Sequence, residues 1–302
     1  MTSSILRRIG GRRGRGLPID VARYWEGRHV VVTGGSSGIG LEVTRSALAA
    51  GARVSVLALG DQALTELPTR MPAAAGRLAV IAADVSQAEQ TRAAVELARE
   101  RHGRIAALIV CAGIAKPDYF SRLAAEDFDK HMAVNYFGAL NVIRDVLPDL
   151  RGRDRDSITV ISSMAGVLPC FGYGAYSPSK FAVSALCEVL RQELKPTGVM
   201  VTVVLPPDVD TPQLAAEAAT KPPELAALNA SPPMPATAVA RALLAGAARG
   251  RPTVIPSARA RLIRRLTALA PHLTARLIDT IIARTQRELP LAERTHPPRM
   301  AG

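Results

Sequence analysis

The stretch "HVVVTGGSSGIG", residues 29–40, decides the fold. A β-branched run ends in a glycine-rich turn, and a helical pattern follows at once. Gly34, Gly38 and Gly40 let the backbone turn tightly and approach a pyrophosphate, whose charge the N-terminus of the following helix meets. The spacing is G-x3-G-x-G rather than G-x-G-x-x-G, so the turn draws its weight from standing between a strand and a helix.

Outward from this turn the chain keeps alternating. The runs 53–59, 78–83, 105–111, 157–163, 199–205 and 253–256 read as further strands, and 38–50, 87–102, 123–150, 175–195 and 236–249 as helices. The strands are continuously apolar, as expected where helices cover both faces of a sheet. Strand–helix alternation with right-handed crossovers predicts an α/β fold, a doubly wound parallel sheet in one Rossmann-like domain over 27–257. Residues 1–26 read as a basic disordered tail and 258–302 as a basic, amphipathic helical appendage with its own tail. The Pro-rich segment 206–235 is too long for a simple connection and reads as a lid, a binding loop or disorder.

Composition sets bounds on function. Of 302 residues, 48% are hydrophobic and 4% aromatic, so a large core is built mostly from Ala, Val, Leu and Ile. No run reaches the roughly 20 apolar residues of a membrane-spanning helix. Residues 1–19 are Arg-rich but lack the apolar stretch of a signal peptide. Cys111, Cys170 and Cys187 have neither metal-ligand spacing nor an even disulfide count, which fits a reducing, cytoplasmic setting and no metal site. The net charge of +12 divides into +5 over 1–28, −1 over 29–248 and +8 over 249–302. A neutral body with basic ends argues against a nucleic-acid-binding domain and suits peripheral contact with an anionic membrane, on its inner face. In 258–287, Leu262, Leu266, Leu269, Leu273, Leu277 and Ile281 recur at steps of three and four among seven Arg, and Pro271 divides the segment into two helices. Such helices can lie in a membrane interface or pack on the domain or on a second subunit.

The chemistry concentrates in "YGAYSPSK", 173–180. On a helix Tyr176 and Lys180 share a face, and an ammonium beside a phenol lowers its pKa and makes it a usable proton donor. With "TGGSSGIG" (33–40), "CAG" (111–113), "VNYFG" (134–138) and "ISSMAG" (161–166), this stretch resembles, in order and spacing, the motif set of the short-chain dehydrogenases/reductases over residues 28–257. The resemblance implies that Ser163 hydrogen-bonds a substrate carbonyl and Tyr176 protonates its oxygen as hydride arrives. It also implies that Lys180 lowers the Tyr pKa and binds the cofactor ribose, and that Asn135 holds a relay water. Ser162 is the adjacent alternative to Ser163. For the cofactor the resemblance implies Gly34, Ser36, Ser37, Gly38, Ile39, Gly40, Asp84, Val85, Ala112, Gly113, Tyr176, Lys180, Pro206, Val209 and Thr211. Asp84 matches the acid that contacts adenine, and it also suits a helix N-cap. Cys111 replaces the usual Asn of that loop and reads as an inert buried thiol.

The reader of the cofactor's 2′-position normally follows the second strand, an acid for NAD or an Arg for NADP. Ala58 and Leu59 stand there instead. With no acid to repel a phosphate, and with Ser36 and Ser37 able to donate to one, NADPH is the expected cofactor and NADH the alternative. "LPPDVDTP" (205–212) has Pro-Pro where most of the family has Pro-Gly, and with "FGYGAYSPSKFA" and "TKPPE" it resembles the 3-ketodihydrosphingosine reductase branch. That branch implies a lipid-like ketone substrate, a long-chain 2-amino-3-keto alcohol. Asp208 and Asp210 are then expected at its ammonium, and Met164, Leu168, Phe171 and Tyr173 along its tail. The branch's animal members carry hydrophobic membrane segments that this chain lacks. A homodimer or homotetramer is implied by the family. The alternatives are a reductase of 3-oxoacyl thioesters or another hydrophobic carbonyl and, outside enzymes, a nucleotide-sensing or nucleic-acid-binding protein on the same fold.

Overall fold

The computed structural model describes residues 17–152 and 155–289. Six strands, β1 (His29–Thr33), β2 (Arg53–Ala58), β3 (Leu78–Ala82), β4 (Ala107–Val110), β5 (Ser157–Ile161) and β6 (Met200–Val204), are joined by two short ones off the main run, β7 (Val209–Asp210) and β8 (Met234–Pro235), and by β9 (Thr253–Val254). The main sheet is parallel, in the order β3-β2-β1-β4-β5-β6-β9. The order reverses between β1 and β4, and at such a switch point the strand ends leave the crevice in which α/β proteins bind ligands.

The helices are α1 (Ile19–Trp25), α2 (Gly38–Ala49), α3 (Gln62–Thr65), α4 (Ala88–His102), α5 (Ala125–His131), α6 (Gly138–Val146), α7 (Tyr176–Leu194), α8 (Pro212–Glu217), α9 (Pro223–Leu228), α10 (Ala236–Ala248), α11 (Ala258–Leu269) and α12 (Pro271–Glu288). One face of the sheet packs its Val and Ile side chains against α1, α2 and α10, the other against α4, α6 and α7. Side chains buried on both faces explain the continuously apolar strands.

Two expectations need amendment, and a third is narrowed. The tail expected over 1–26 does not extend through α1: Trp25 is fully buried and its Nε1 donates to the Leu244 carbonyl at 3.3 Å, because an indole gains too much by burial to stay in solvent. Residues 1–16 lie outside the described residues. The single helix expected over 123–150 is broken by a π-helical segment, Met132–Phe137, a wider turn that is rare and concentrates at functional sites. Segment 206–235 is an ordered lid of α8 and α9 bounded by the β7–β8 pair, with Leu225 fully buried.

Pro271 opens α12, as the two-helix reading expects. The appendage packs on the lid through α12 against α9, turning Ala260, Ile263, Thr267, Thr274 and Ile278 inward. The leucine stripe faces the other way. Leu262, Leu266, Leu269, Leu273 and Leu277 are all exposed, Leu269 to 84%, while Ile281 is half-buried. Among the described residues no helix is long and apolar enough to cross a membrane.

Candidate active site

The glycine turn closes the C-terminal end of β1. Gly34 has φ +64°, and a Cβ there would stand 2.9 Å from the Ala112 backbone; one on Gly40 would collide with the Gly34 carbonyl oxygen. Only glycine fits, which leaves bare backbone facing the helix α2 N-terminus. Thr33 ties the two loops together, its Oγ1 accepting from the N–H groups of Cys111 and Ala112 at 3.2 Å each. Ser36 is buried, whereas Ser37 is exposed and its side chain caps nothing. Ile39 is half-buried against the core. Asp84 accepts from the Ser86 N–H and hydroxyl at 2.9 and 2.8 Å, and the Val85 carbonyl accepts from Asn141 at 3.1 Å. Thr211 caps α8 and stands over Gly38: a Cβ on that glycine would lie 3.2 Å from Thr211 Cγ2. Pro206 and Val209 are buried beside it. A side-chain-free cradle, a helix N-terminus and a threonine closing over them fit a dinucleotide.

Tyr176 is the first residue of α7, and Lys180 follows one turn later with its Nζ 5.7 Å from the Tyr176 ring centre. The ammonium donates to the Ile161 carbonyl at 3.1 Å. Ser163 hydrogen-bonds Tyr176, and its Oγ also accepts from the Ala165 N–H at 3.1 Å. Ser162 instead donates to the Lys180 carbonyl at 2.9 Å and meets Ser184, so it anchors α7 to β5 and takes no part in the cleft. Asn135 sits in the π segment; its Oδ1 accepts from the Ile114 N–H at 2.9 Å, and its Nδ2 donates to Ile114 O at 3.0 Å and Ser179 Oγ at 2.9 Å. A Cβ on Gly113 would stand 3.0 Å from Asn135 Oδ1 and 3.2 Å from Lys180 Nζ, which puts both side chains over that glycine.

The electrostatics differ from the sequence expectation in one respect. Burial pushes the Tyr176 phenol well above its ordinary value, the bond to Ser163 pulls it back, and the carboxylates of Glu217 and Asp208 push it up further. Desolvation, not the neighbouring ammonium, sets the direction. Burial also brings Lys180 down to about 8. The Cys111 thiol is pushed up to about 12 by burial, which makes it inert.

Over Tyr176 lies a small apolar cluster of Ala165, Tyr173, Tyr176 and Leu225, with Ala115 and Cys170 packed on it. Met164, Leu168 and Phe171 are half-buried, Phe171 edge-on to Tyr119. Neither acid expected at an ammonium is placed for it. Asp208 is bound by Lys221 Nζ at 3.1 Å and by Asn229, and Asp210 is exposed on β7. Two other carboxylates are buried under the lid. Glu217 accepts from the Tyr173 hydroxyl at 2.7 Å, and Glu224 from the Tyr119 hydroxyl at 3.1 Å and from Gln286 at 3.3 Å.

The sequence profile of the short chain dehydrogenase family matches residues 28–222. The chain belongs to that family. A curated relative, the 3-ketodihydrosphingosine reductase of Mus musculus, is 39% identical over 201 residues, which is 65% of this chain and 60% of the mouse protein. The chain thus matches well under two thirds of that relative's length. Among solved structures, a short chain dehydrogenase/reductase from Burkholderia phymatum in complex with NAD superposes with a TM-score of 0.74 at 24% identity, covering 83% of this chain and 96% of that one. A short chain dehydrogenase from Burkholderia cenocepacia J2315 in complex with NADP gives 0.69 at 26% identity, covering 84% and 98%. Family neighbours therefore bind either nicotinamide dinucleotide.

For this short-chain dehydrogenase the sequence reading missed Thr33, Ser179, Glu217 and Glu224. Thr33 and Ser179 flank motif residues and had a signal in that adjacency. Glu224 closes the "TKPPE" stretch, which marked the segment but not the residue, and Glu217, at the end of α8, had no signal, since only the folded lid buries it.

Proposed function

We propose that the chain reduces the ketone of 3-ketodihydrosphingosine to the alcohol dihydrosphingosine, with NADPH as reductant. The observation that carries this reading is the meeting of Ser163, Tyr176 and Lys180 beside a glycine-lined cleft, under a lid that combines apolar side chains with buried carboxylates. Such a lid suits a ligand that is both long-chain and cationic.

Gly34, Gly38, Ile39, Gly40, Ala112 and Gly113 would hold the dinucleotide by its backbone-facing side, Asp84 and Val85 its adenine end, and Pro206, Val209 and Thr211 its nicotinamide end. When bound, the nicotinamide supplies a hydride to the carbonyl carbon. The Ser163 hydroxyl donates to the carbonyl oxygen and holds it next to Tyr176. As negative charge builds on that oxygen, Tyr176 stabilises and protonates it. An alkoxide is a stronger base than a phenolate, so the transfer runs downhill even from a phenol raised by burial. Lys180, beside Gly113, would hold the cofactor ribose, and Asn135, bonded to Ile114 and Ser179, would help position a water that returns a proton to Tyr176. Ala58 leaves the end of β2 without a carboxylate and Ser37 is exposed at the turn, which favours the 2′-phosphate of NADPH over NADH.

The exposed leucines of α11 and α12, set among Arg264, Arg265 and Arg276, support peripheral binding to an anionic membrane from which such a substrate would be drawn. Phe137, at the end of the π-helical segment, and Phe181 and Val189, on α7, are exposed and support a homodimer or homotetramer. The test is a panel of ketones with each cofactor, including 3-ketodihydrosphingosine and 3-oxoacyl thioesters. Fastest turnover of 3-ketodihydrosphingosine with NADPH is expected; faster turnover of a thioester, or preference for NADH, overturns the corresponding part.

A further inference from the structure

We infer that Glu217, held by Tyr173, is the group that receives the substrate's ammonium, an inference that rests on the reductase reading above. The substrate carries its amine on the carbon next to the reacting ketone. Whatever meets the ammonium must therefore lie close to the hydroxyl that protonates the carbonyl oxygen.

The lid segment carries four carboxylates, and their surroundings separate them. Asp208 is already neutralised by Lys221 at 3.1 Å. Asp210 is exposed on β7, where solvent competes for any cation. Glu224, like Glu217, has neutral donors on both oxygens, Tyr119 and Gln286, but it is not among the charges that act on Tyr176, whereas Glu217 is. Glu217 is 6% exposed, and its hydrogen-bond donors are neutral: the Tyr173 hydroxyl at 2.7 Å and the Gln213 amide at 3.4 Å. Lys221, the cation that would have suited it, makes its ion pair with Asp208. Burial pushes the Glu217 carboxyl above its ordinary value, while the Tyr173 and Gln213 bonds and the Lys221 ammonium pull it back; an ammonium arriving at its oxygens would favour the charged form and complete a buried ion pair.

Its position fits the reacting centre. The Tyr173 ring that holds it lies 4.9 Å from the Tyr176 ring, in one apolar cluster. A carboxylate at the edge of this aromatic cluster can meet an ammonium out of competition with bulk water. The same closeness gives the contact a second effect. Glu217 is the first carboxylate among those that hold the Tyr176 phenol up. An ammonium at Glu217 cancels that charge and eases proton donation, so the amine would promote reduction of the ketone beside it. A neutral ketone would gain neither contact.

The test compares 3-ketodihydrosphingosine with the equal-length ketone lacking the amine, in wild type, Glu217→Gln and Tyr173→Phe. Gln keeps the size of Glu and an acceptor for Tyr173 while removing the charge. The ratio of kcat/KM for the amino ketone over the neutral ketone should fall at least about tenfold in Glu217→Gln, the scale of a lost charge-assisted bond, and by less in Tyr173→Phe. An unchanged ratio in both variants, or loss of turnover in equal proportion on both substrates, overturns the inference while leaving the reductase reading intact. A wild type that turns over other ketones but not the amino ketone overturns the reductase reading itself, and the role of Glu217 with it.

Discussion

Removing the Tyr176 hydroxyl isolates the proton-transfer step. Tyr176→Phe deletes one atom from a buried side chain and leaves the ring among Tyr173, Ala165 and Leu225. Ser163 loses the acceptor of its O–H but is half-buried and within reach of solvent, and its oxygen keeps accepting from the Ala165 N–H at 3.1 Å, so the fold should lose no more than about 1 kcal/mol. Catalysis should lose far more. A positioned acid contributes roughly 10²–10⁴ in rate, and the low end corresponds to about 2.7 kcal/mol of barrier, twice the cost of one tenfold step. Following reduced-nicotinamide absorbance on the preferred ketone should therefore show kcat down by at least about a hundredfold, with a nearly unchanged dissociation constant for the cofactor and an unchanged melting profile. Turnover within a few-fold of wild type would remove Tyr176 from the mechanism. A matching loss of cofactor affinity would instead make it a packing residue of the cleft.

Lys180→Ala should damage both turnover and cofactor affinity, because the ammonium lies 5.7 Å from the Tyr176 ring and against Gly113 of the cofactor loop; in the wild type, the cofactor KM measured against pH should rise above about pH 8, where the buried ammonium loses its proton. For stability the sign is opposite: a lysine depressed in the folded state binds fewer protons than in the unfolded chain, so its contribution becomes more favourable as pH rises from about 8 towards the unfolded value, which denaturant titrations at two pH values would register. Ala58→Asp places a carboxylate at the end of β2 and should shift the ratio of kcat/KM for NADPH over NADH towards NADH, while a variant with an unchanged ratio would place the 2′-group elsewhere. Replacing Leu269 and Leu273 by Ser should weaken co-sedimentation with anionic vesicles at low salt without altering turnover of a soluble ketone, and added salt should weaken the wild type as well; vesicle binding that ignores both changes would argue for a subunit or domain contact instead.

The parts of this protein that were legible in sequence are those in which chemistry and local geometry coincide. The turn at 33–40 could be read because Gly34 and Gly40 occupy positions where any Cβ meets backbone. Tyr176 and Lys180 could be read because one helical turn fixes their relation whatever surrounds them. The strands could be read because burial on both faces leaves a continuous apolar run. Where a property depends on distant partners, the sequence was silent or misleading. The phenol of Tyr176 is set by desolvation under a lid whose residues lie more than thirty positions away, so a pairwise argument from Lys180 missed the dominant effect. Asp208 looked available for a cation, but Lys221 and Asn229 return to it only once α8 and α9 have folded. Glu217 lies in "LAAEAAT", which reads as a plain helix end, and becomes a buried acid only when Tyr173 donates to it across the lid. The motifs thus carry the reaction type, whereas selection for a charged substrate, on the reading proposed above, would be built by the lid, and it is there that variants should separate recognition of the amine from reduction of the ketone.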